Sequence, residues 1–173
     1  MSMTKVKVLN GPNLSRLDLR EKSYYGDISY SDIEQICRQG AKEFNFDVEI
    51  KQSNDESELI GWLHAAADSK TPVIFNPAAF THYSYAIRDA VVMLKAPCIE
   101  VHLSNPLSRE EFRHTSVIGG VVQGSIAGFG LEKFTYAETV IPIERAVPAM
   151  ILAAASISFA LRSSIFVVAI SLT

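Results

Sequence analysis

The sequence is poor in cysteine. Cys37 and Cys98 are the only two in 173 residues, one within a helical pattern and the other in an apolar strand pattern, so neither a disulfide framework nor metal-ligand spacing is present. That usage fits a reducing compartment, and a cytoplasmic protein is the expectation. Basic blocks are missing as well: 16 Lys and Arg against 19 Asp and Glu leave a formal charge of −3. Binding to a phosphate backbone rests on clustered cations, so nucleic acid is not an expected partner. The opening MSMTKVKVLN lacks the apolar stretch and small-residue cleavage site of a secretory signal and runs straight into a strand pattern. The glycines of GGVVQGSIAGFG match neither G-x-G-x-x-G nor G-x-x-x-x-G-K-[ST], so they do not support a nucleotide cofactor; close backbone packing explains them better.

What is present is a regular alternation. Short β-branched runs at Val6–Leu9, Asp47–Lys51, Pro72–Phe75 and Cys98–His102 are separated by helix-like stretches. Ser31–Phe44 opens on a Ser31/Glu34 capping-box pattern and sets Ile33, Ile36, Cys37 and Ala41 on one face. Asn54–Ala67 and Ser84–Leu94 read as two further helices, and a Gly-rich strand near Gly120–Gly128 completes a set of five. Alternation of this kind predicts an α/β fold, a flavodoxin-like three-layer sandwich around a five-stranded parallel sheet. The length suits one domain, assigned to residues 1–146.

Residues 147–173 are different, with Arg162 as their only charge. Pro148 and Arg162 interrupt the apolar run, and an arginine near a helix centre costs roughly 2.5–3.5 kcal/mol on insertion scales. A helical tail packed on the domain or on a neighbouring subunit is therefore expected over a membrane span.

In open α/β sheets ligands bind outside the carboxyl ends of the strands. Here the runs end in NGPN (Asn10–Asn13), QSN (Gln52–Asn54), NPAAFTH (Asn76–His82) and EVHLSN (Glu100–Asn105). Any one such ending is ordinary turn chemistry, but together they gather Asn13, Asn76, His82, His102 and Ser104 on one edge. Glu100, His102 and Ser104 alternate along a strand and so share a face. A carboxylate in reach fixes an imidazole's tautomer and favours its protonated form, which suits a general acid; a buried structural histidine or a Ser104 nucleophile are the other readings. Arg109 and Arg113, four apart in SREEFRH, are expected to face one way from a short helix, as a solvated pair or as anion and hydroxyl binders. Near the start, NGPNLSRLDLREKSYYG places Arg20 close to Tyr24 and Tyr25. A phenol ordinarily ionises near 10 and is a poor base at neutral pH unless a cation stands beside it.

Read in order, LNGPNL, REKSYYG, KQSN, NPAAFTH, IRDA, EVHLSN and REEFRH resemble the type II 3-dehydroquinate dehydratases, from about Val6 to Gly130. The resemblance implies trimers assembled into dodecamers, no metal and no cofactor. It also implies conversion of 3-dehydroquinate to 3-dehydroshikimate and water, in the shikimate or quinate pathway. Matched residue by residue, it makes Tyr25 the base and Arg20 its activating cation, with Tyr24 at a variable position. Asn13 corresponds to the group that stabilises an enolate oxygen, and His102, oriented by Glu100, to the acid that protonates the departing hydroxyl. Asn76, Ser104 and the backbone N–H of Leu103 resemble a carboxylate clamp, and His82 and Arg113 resemble contacts to ring hydroxyls. Asp89 matches a residue that reaches an adjacent subunit's site. Lys22 departs from the pattern where proline is common, Ala78 and Ala79 where glycine is, and Tyr83 where Thr or Ser is. These changes bear on lid closure and affinity.

Overall fold

Strands too short and too apolar to stand alone must be covered on both faces, and the chain satisfies this with a parallel sheet between helices. The structure is a computed structural model and describes residues 3–128 and Gly130; the segment 147–173, expected to be a helical tail, lies outside the described residues. The strands are β1 (Thr4–Asn10), β2 (Phe46–Gln52), β3 (Val73–Asn76), β4 (Cys98–His102) and β5 (Gly124–Ala127). They pair in the order β2-β1-β3-β4-β5, every pair parallel. The helices are α1 (Lys22–Tyr25), α2 (Tyr30–Glu43), α3 (Glu56–Ser69) and α4 (Tyr85–Val92). This is the flavodoxin-like arrangement that the alternation predicts.

Strand alternation divides the core. Val6, Val8, Ile74, Ile99 and Val101 point to one face, where Ile33, Cys37 and Ala41 of α2 cover them. Leu9, Val73, Phe75 and Cys98 point to the other, beneath Leu59 and Leu63 of α3 and Ile87 and Val91 of α4. Burying each large aliphatic chain is worth about 1.5–3 kcal/mol, so the two faces hold the strands in register.

The start of α2 differs from the sequence reading in its capping residues. The capping box of α2 is formed by Ser29 and Asp32, not by Ser31 and Glu34. Both pairs fit the pattern, and apolar packing selects between them. With Ser29 as the cap, the preceding Ile28 and the later Ile33 meet in the same apolar cluster, a hydrophobic staple. A cap at Ser31 would put Gln35 in that position. Asp55 caps α3 and Ser84 caps α4.

The reversal of strand order between β1 and β3 opens a crevice at their carboxyl ends. Register keeps those ends level: Asn10 of β1 pairs with Gln52 and with Asn76, and Phe75 pairs with Glu100. The loops leaving β1 and β3 touch. Gly11 N–H donates to the Asn76 carbonyl at 2.7 Å, and a Cβ on Gly11 would lie 2.5 Å from the Pro77 carbonyl oxygen. Only glycine permits this approach, because the clash would be with backbone rather than with a side chain that could turn aside. Gly11→Ala is therefore expected to lower unfolding free energy by about 1–3 kcal/mol, measured by urea denaturation. An unchanged midpoint would show that the two loops are not held in contact.

Candidate active site

The polar strand ends converge on a cleft of about 300 Å³. Asn13 enters it from the loop after β1 in a left-handed conformation, φ 66°, which asparagine tolerates better than most residues. Its N–H donates to Asn54 Oδ1 at 2.8 Å, and Gln52 Nε2 donates to the same oxygen and to the Gly11 carbonyl, both at 3.2 Å. The KQSN stretch thus supports the NGPN loop. Asn76, the last residue of β3, accepts at Oδ1 from the Ala78 N–H at 3.2 Å, which turns the amide donors of its side chain away from that turn.

Across the cleft, Tyr25 closes α1. Its Oη accepts from Arg20 Nη2 at 2.6 Å and from Arg109 Nη1 at 2.7 Å. Arg20 also lies over the Tyr25 ring, 4.5 Å from guanidinium carbon to ring centre. Arginine only donates, so the phenolic oxygen faces two cations and accepts from both.

At the end of β4, His102 Nε2 stands 2.8 Å from Glu100 Oε1. An ionised carboxylate only accepts, so Nε2 carries the hydrogen. Glu100 is almost wholly buried, at 1% exposure, and a buried charge requires hydrogen bonds. Thr81 Oγ1 donates to Oε1, and Ser125 Oγ donates to Oε2 at 3.1 Å. Ser116 Oγ lies 3.3 Å from both oxygens and 2.7 Å from Thr81 Oγ1; with one hydrogen it serves one of them at a time. Two backbone N–H groups, from Ile118 and Gly119, anchor its oxygen. Burial, the largest single influence, pushes the Glu100 pKa up, but His102, Thr81 and Ser125 together hold it below the ordinary carboxylate value.

His82 Nδ1 donates to the Thr115 carbonyl at 2.8 Å. Burial lowers its pKa, the largest influence; the Thr115 carbonyl and Glu100 oppose it, and neighbouring His102 and Arg113 add to it, leaving the imidazole below its ordinary value. It is therefore neutral at pH 7, with Nε2 an acceptor. Glu110, bound by Arg113 Nε at 2.8 Å, has its pKa drawn down to about 2, chiefly by that hydrogen bond. Arg20 and Arg109 meet at Tyr25, and Arg113 lines the cleft beside Glu110, so the lining carries both signs of charge.

A family profile described as Dehydroquinase class II matches residues 4–141. The chain belongs to the class II dehydroquinases. It is 50% identical over 133 residues to a 3-dehydroquinate dehydratase of Salinispora tropica, covering 77% of this chain and 93% of that one. A 3-dehydroquinate dehydratase of Caldicellulosiruptor bescii is 49% identical over 136 residues, covering 78% and 94%. Among solved structures, the type II dehydroquinase of Propionibacterium acnes superposes with a TM-score of 0.76 at 48% identity, covering 80% of this chain and 97% of that one. The type II dehydroquinase of Butyrivibrio crossotus does so with a TM-score of 0.79 at 42% identity, covering 82% and 99%.

Of the residues singled out from the sequence of this class II dehydroquinase, Asn13, Arg20, Tyr25, Asn76, His82, His102, Leu103, Ser104 and Arg113 all line the cleft. Glu100 stands behind His102. Asp89 does not reach the cleft of its own chain; it lies on α4, exposed, beside Arg88 at 3.7 Å. Two details differ from the sequence reading. Ser104 follows the end of β4 at His102 rather than continuing the strand. Arg109 and Arg113 do not share a helix: Arg109 ends the turn Pro106–Ser108, and Arg113 belongs to the separate turn Glu111–His114. Sequence reasoning left the contact of Arg109 with Tyr25 unrecognised, as it did the hydroxyls on Glu100. Ala78 also carries a cost. At φ 51° it occupies the left-handed region, worth roughly 1–2 kcal/mol of strain for a residue with a Cβ.

The Glu100 network makes stability depend on pH. A carboxyl whose pKa is lowered by folding contributes stability that is complete above its unfolded value, about 4.3, and is lost as pH falls through the folded one. Unfolding free energy, measured by denaturant between about pH 6 and pH 3, should therefore fall more steeply in the native protein than in Glu100→Gln. Parallel curves would show that Glu100 is not held ionised.

Proposed function

We propose that the cleft dehydrates 3-dehydroquinate to 3-dehydroshikimate by an enolate-mediated elimination. The observation that carries this is the Tyr25 oxygen between Arg20 and Arg109, at 2.6 and 2.7 Å, in the same cleft as a histidine bonded to a buried carboxylate at 2.8 Å. Family membership supports the substrate.

In the first step Tyr25 takes the proton α to the ketone, and Arg20 and Arg109 hold the phenolate that does so. The electron pair moves onto the ketone oxygen, and Asn13, directly or through a water, supplies the dipole that stabilises the enolate. In the second step the enolate returns its electrons, the C1–O bond breaks, and His102 gives a proton to the departing hydroxyl. Glu100 keeps the imidazole turned toward that oxygen and offsets the charge on its protonated form. Asn76, Ser104 and the Leu103 N–H hold the substrate carboxylate; His82 and Arg113 hold its ring hydroxyls. The protons pass between side chains and substrate, and no metal or cofactor takes part.

Asp89, exposed on α4, contributes to an adjacent subunit's cleft within a trimer, and four trimers form a dodecamer. The enzyme works in the cytoplasm, in the shikimate or quinate pathway. Among the described residues no helix is long and apolar enough to cross a membrane.

Purified protein given 3-dehydroquinate should develop the ultraviolet absorbance of a conjugated enone, and borohydride added with substrate should leave activity intact. Tyr25→Phe and Arg20→Ala should each lower kcat by at least roughly 100-fold, the scale of positioned acid–base catalysis. No absorbance change at micromolar enzyme would overturn the assignment.

A further inference from the structure

We infer that Tyr24, the tyrosine without a part in the proposed chemistry, is a positioning residue: the face of its ring holds the Arg109 guanidinium against Tyr25. The inference rests on the dehydration reading for its kinetic consequence, but the contact itself is independent of the reaction.

The Arg109 guanidinium carbon lies 4.5 Å from the centre of the Tyr24 ring, well within cation–π range. The same guanidinium donates through Nη1 to Tyr25 Oη at 2.7 Å. Two consecutive tyrosines of α1 therefore grip one cation, Tyr24 by its ring and Tyr25 by its oxygen. The arginine has few other fastenings. Its Nε is buried without a hydrogen-bond partner. Glu110 Oε2 forms an ion pair with that nitrogen at 3.3 Å, outside hydrogen-bonding geometry, and also accepts from Arg113 Nε at 2.8 Å.

Burial tells the same story. The Arg109 side chain is only 4% exposed, whereas Tyr24 is 40% exposed: the ring lies on the outside and the cation beneath it. A stack of this kind strengthens when the cation is removed from water. Elsewhere Tyr25 packs against the core cluster and accepts from Arg20, but α1 has no fully buried residue. Its ion pair, Lys22 Nζ to Asp27 at 2.8 Å, joins two exposed side chains and contributes little. The Arg109 grip is thus what fixes the end of α1 to the turn after β4.

The part is played by the ring and not the phenol, so substitutions separate it from a merely structural role. Tyr24→Phe keeps the stack; Tyr24→Leu keeps apolar bulk and removes the aromatic face. Tyr24→Phe should retain most of kcat, while Tyr24→Leu should lower it roughly fivefold to thirtyfold, the range expected for losing one such contact. KM should change by less than about twofold, because Tyr24 does not line the cleft. In an Arg109→Ala background, Tyr24→Leu should add little, since the group it positions is gone. A readout free of turnover accompanies these: phenylglyoxal modification of Arg109, mapped by peptide mass, should stay slow in the native protein and Tyr24→Phe and become several-fold faster in Tyr24→Leu. Wild-type inactivity on 3-dehydroquinate would sink the dehydration reading and leave the modification rates to decide this one. Equal rates of modification in Tyr24→Phe and Tyr24→Leu, or an undiminished effect of Tyr24→Leu without Arg109, would overturn the inference.

Discussion

Tyr25 Oη receives one hydrogen bond from Arg20, five residues earlier, and another from Arg109, 84 residues later. Most of the cleft is organised around that oxygen. The near donor comes with the loop after β1; the far one is delivered by the turn after β4, so the phenol is set only when both strands are in register. Each guanidinium also meets an aromatic face, Arg20 over Tyr25 and Arg109 over Tyr24. The Tyr25 phenol is thereby held in position between two cations; if it is the base, as proposed, little reorganisation is needed during the reaction.

The opposite wall follows a complementary logic. Glu100 brings a negative charge into the sheet, where desolvation opposes ionisation, and hydroxyls from Thr81 and Ser125 together with His102 reverse that effect. Two guanidinium donors thus meet at Tyr25, while a buried carboxylate stands behind His102, an arrangement that suits the proposed pair of proton transfers. The sheet makes this possible by placing Asn76 and His102 at the ends of β3 and β4 and Asn13 in the loop after β1, with Gly11 letting the loops after β1 and β3 touch.

Much of this was legible in the sequence because it was local. The strands announced themselves as β-branched runs, the polar residues followed each run directly, and Glu100 and His102 were two apart on one strand. Ambiguity arose where two local patterns fitted equally, as at Ser29 and Ser31, and packing of Ile28 with Ile33 decided between them. The contacts that escaped were long-range. Thr81, Ser116 and Ser125 approach Glu100 from 19, 16 and 25 residues away, and no spacing rule joins Arg109 to Tyr24. The departure at Lys22 also has a different setting from the one the pattern implied: Arg20 and Tyr25 meet without the proline, and Lys22 pairs outward with Asp27.

In the proposed elimination Tyr25 and His102 act in separate, successive proton transfers. That separation is tested most directly by following exchange of the hydrogen α to the ketone of 3-dehydroquinate with deuterated water, by proton NMR. His102→Ala should retain exchange while losing dehydration, because the enolate still forms and reverts. Tyr25→Phe should lose both. Exchange that survives in Tyr25→Phe, or disappears in His102→Ala with Tyr25 intact, would contradict the account.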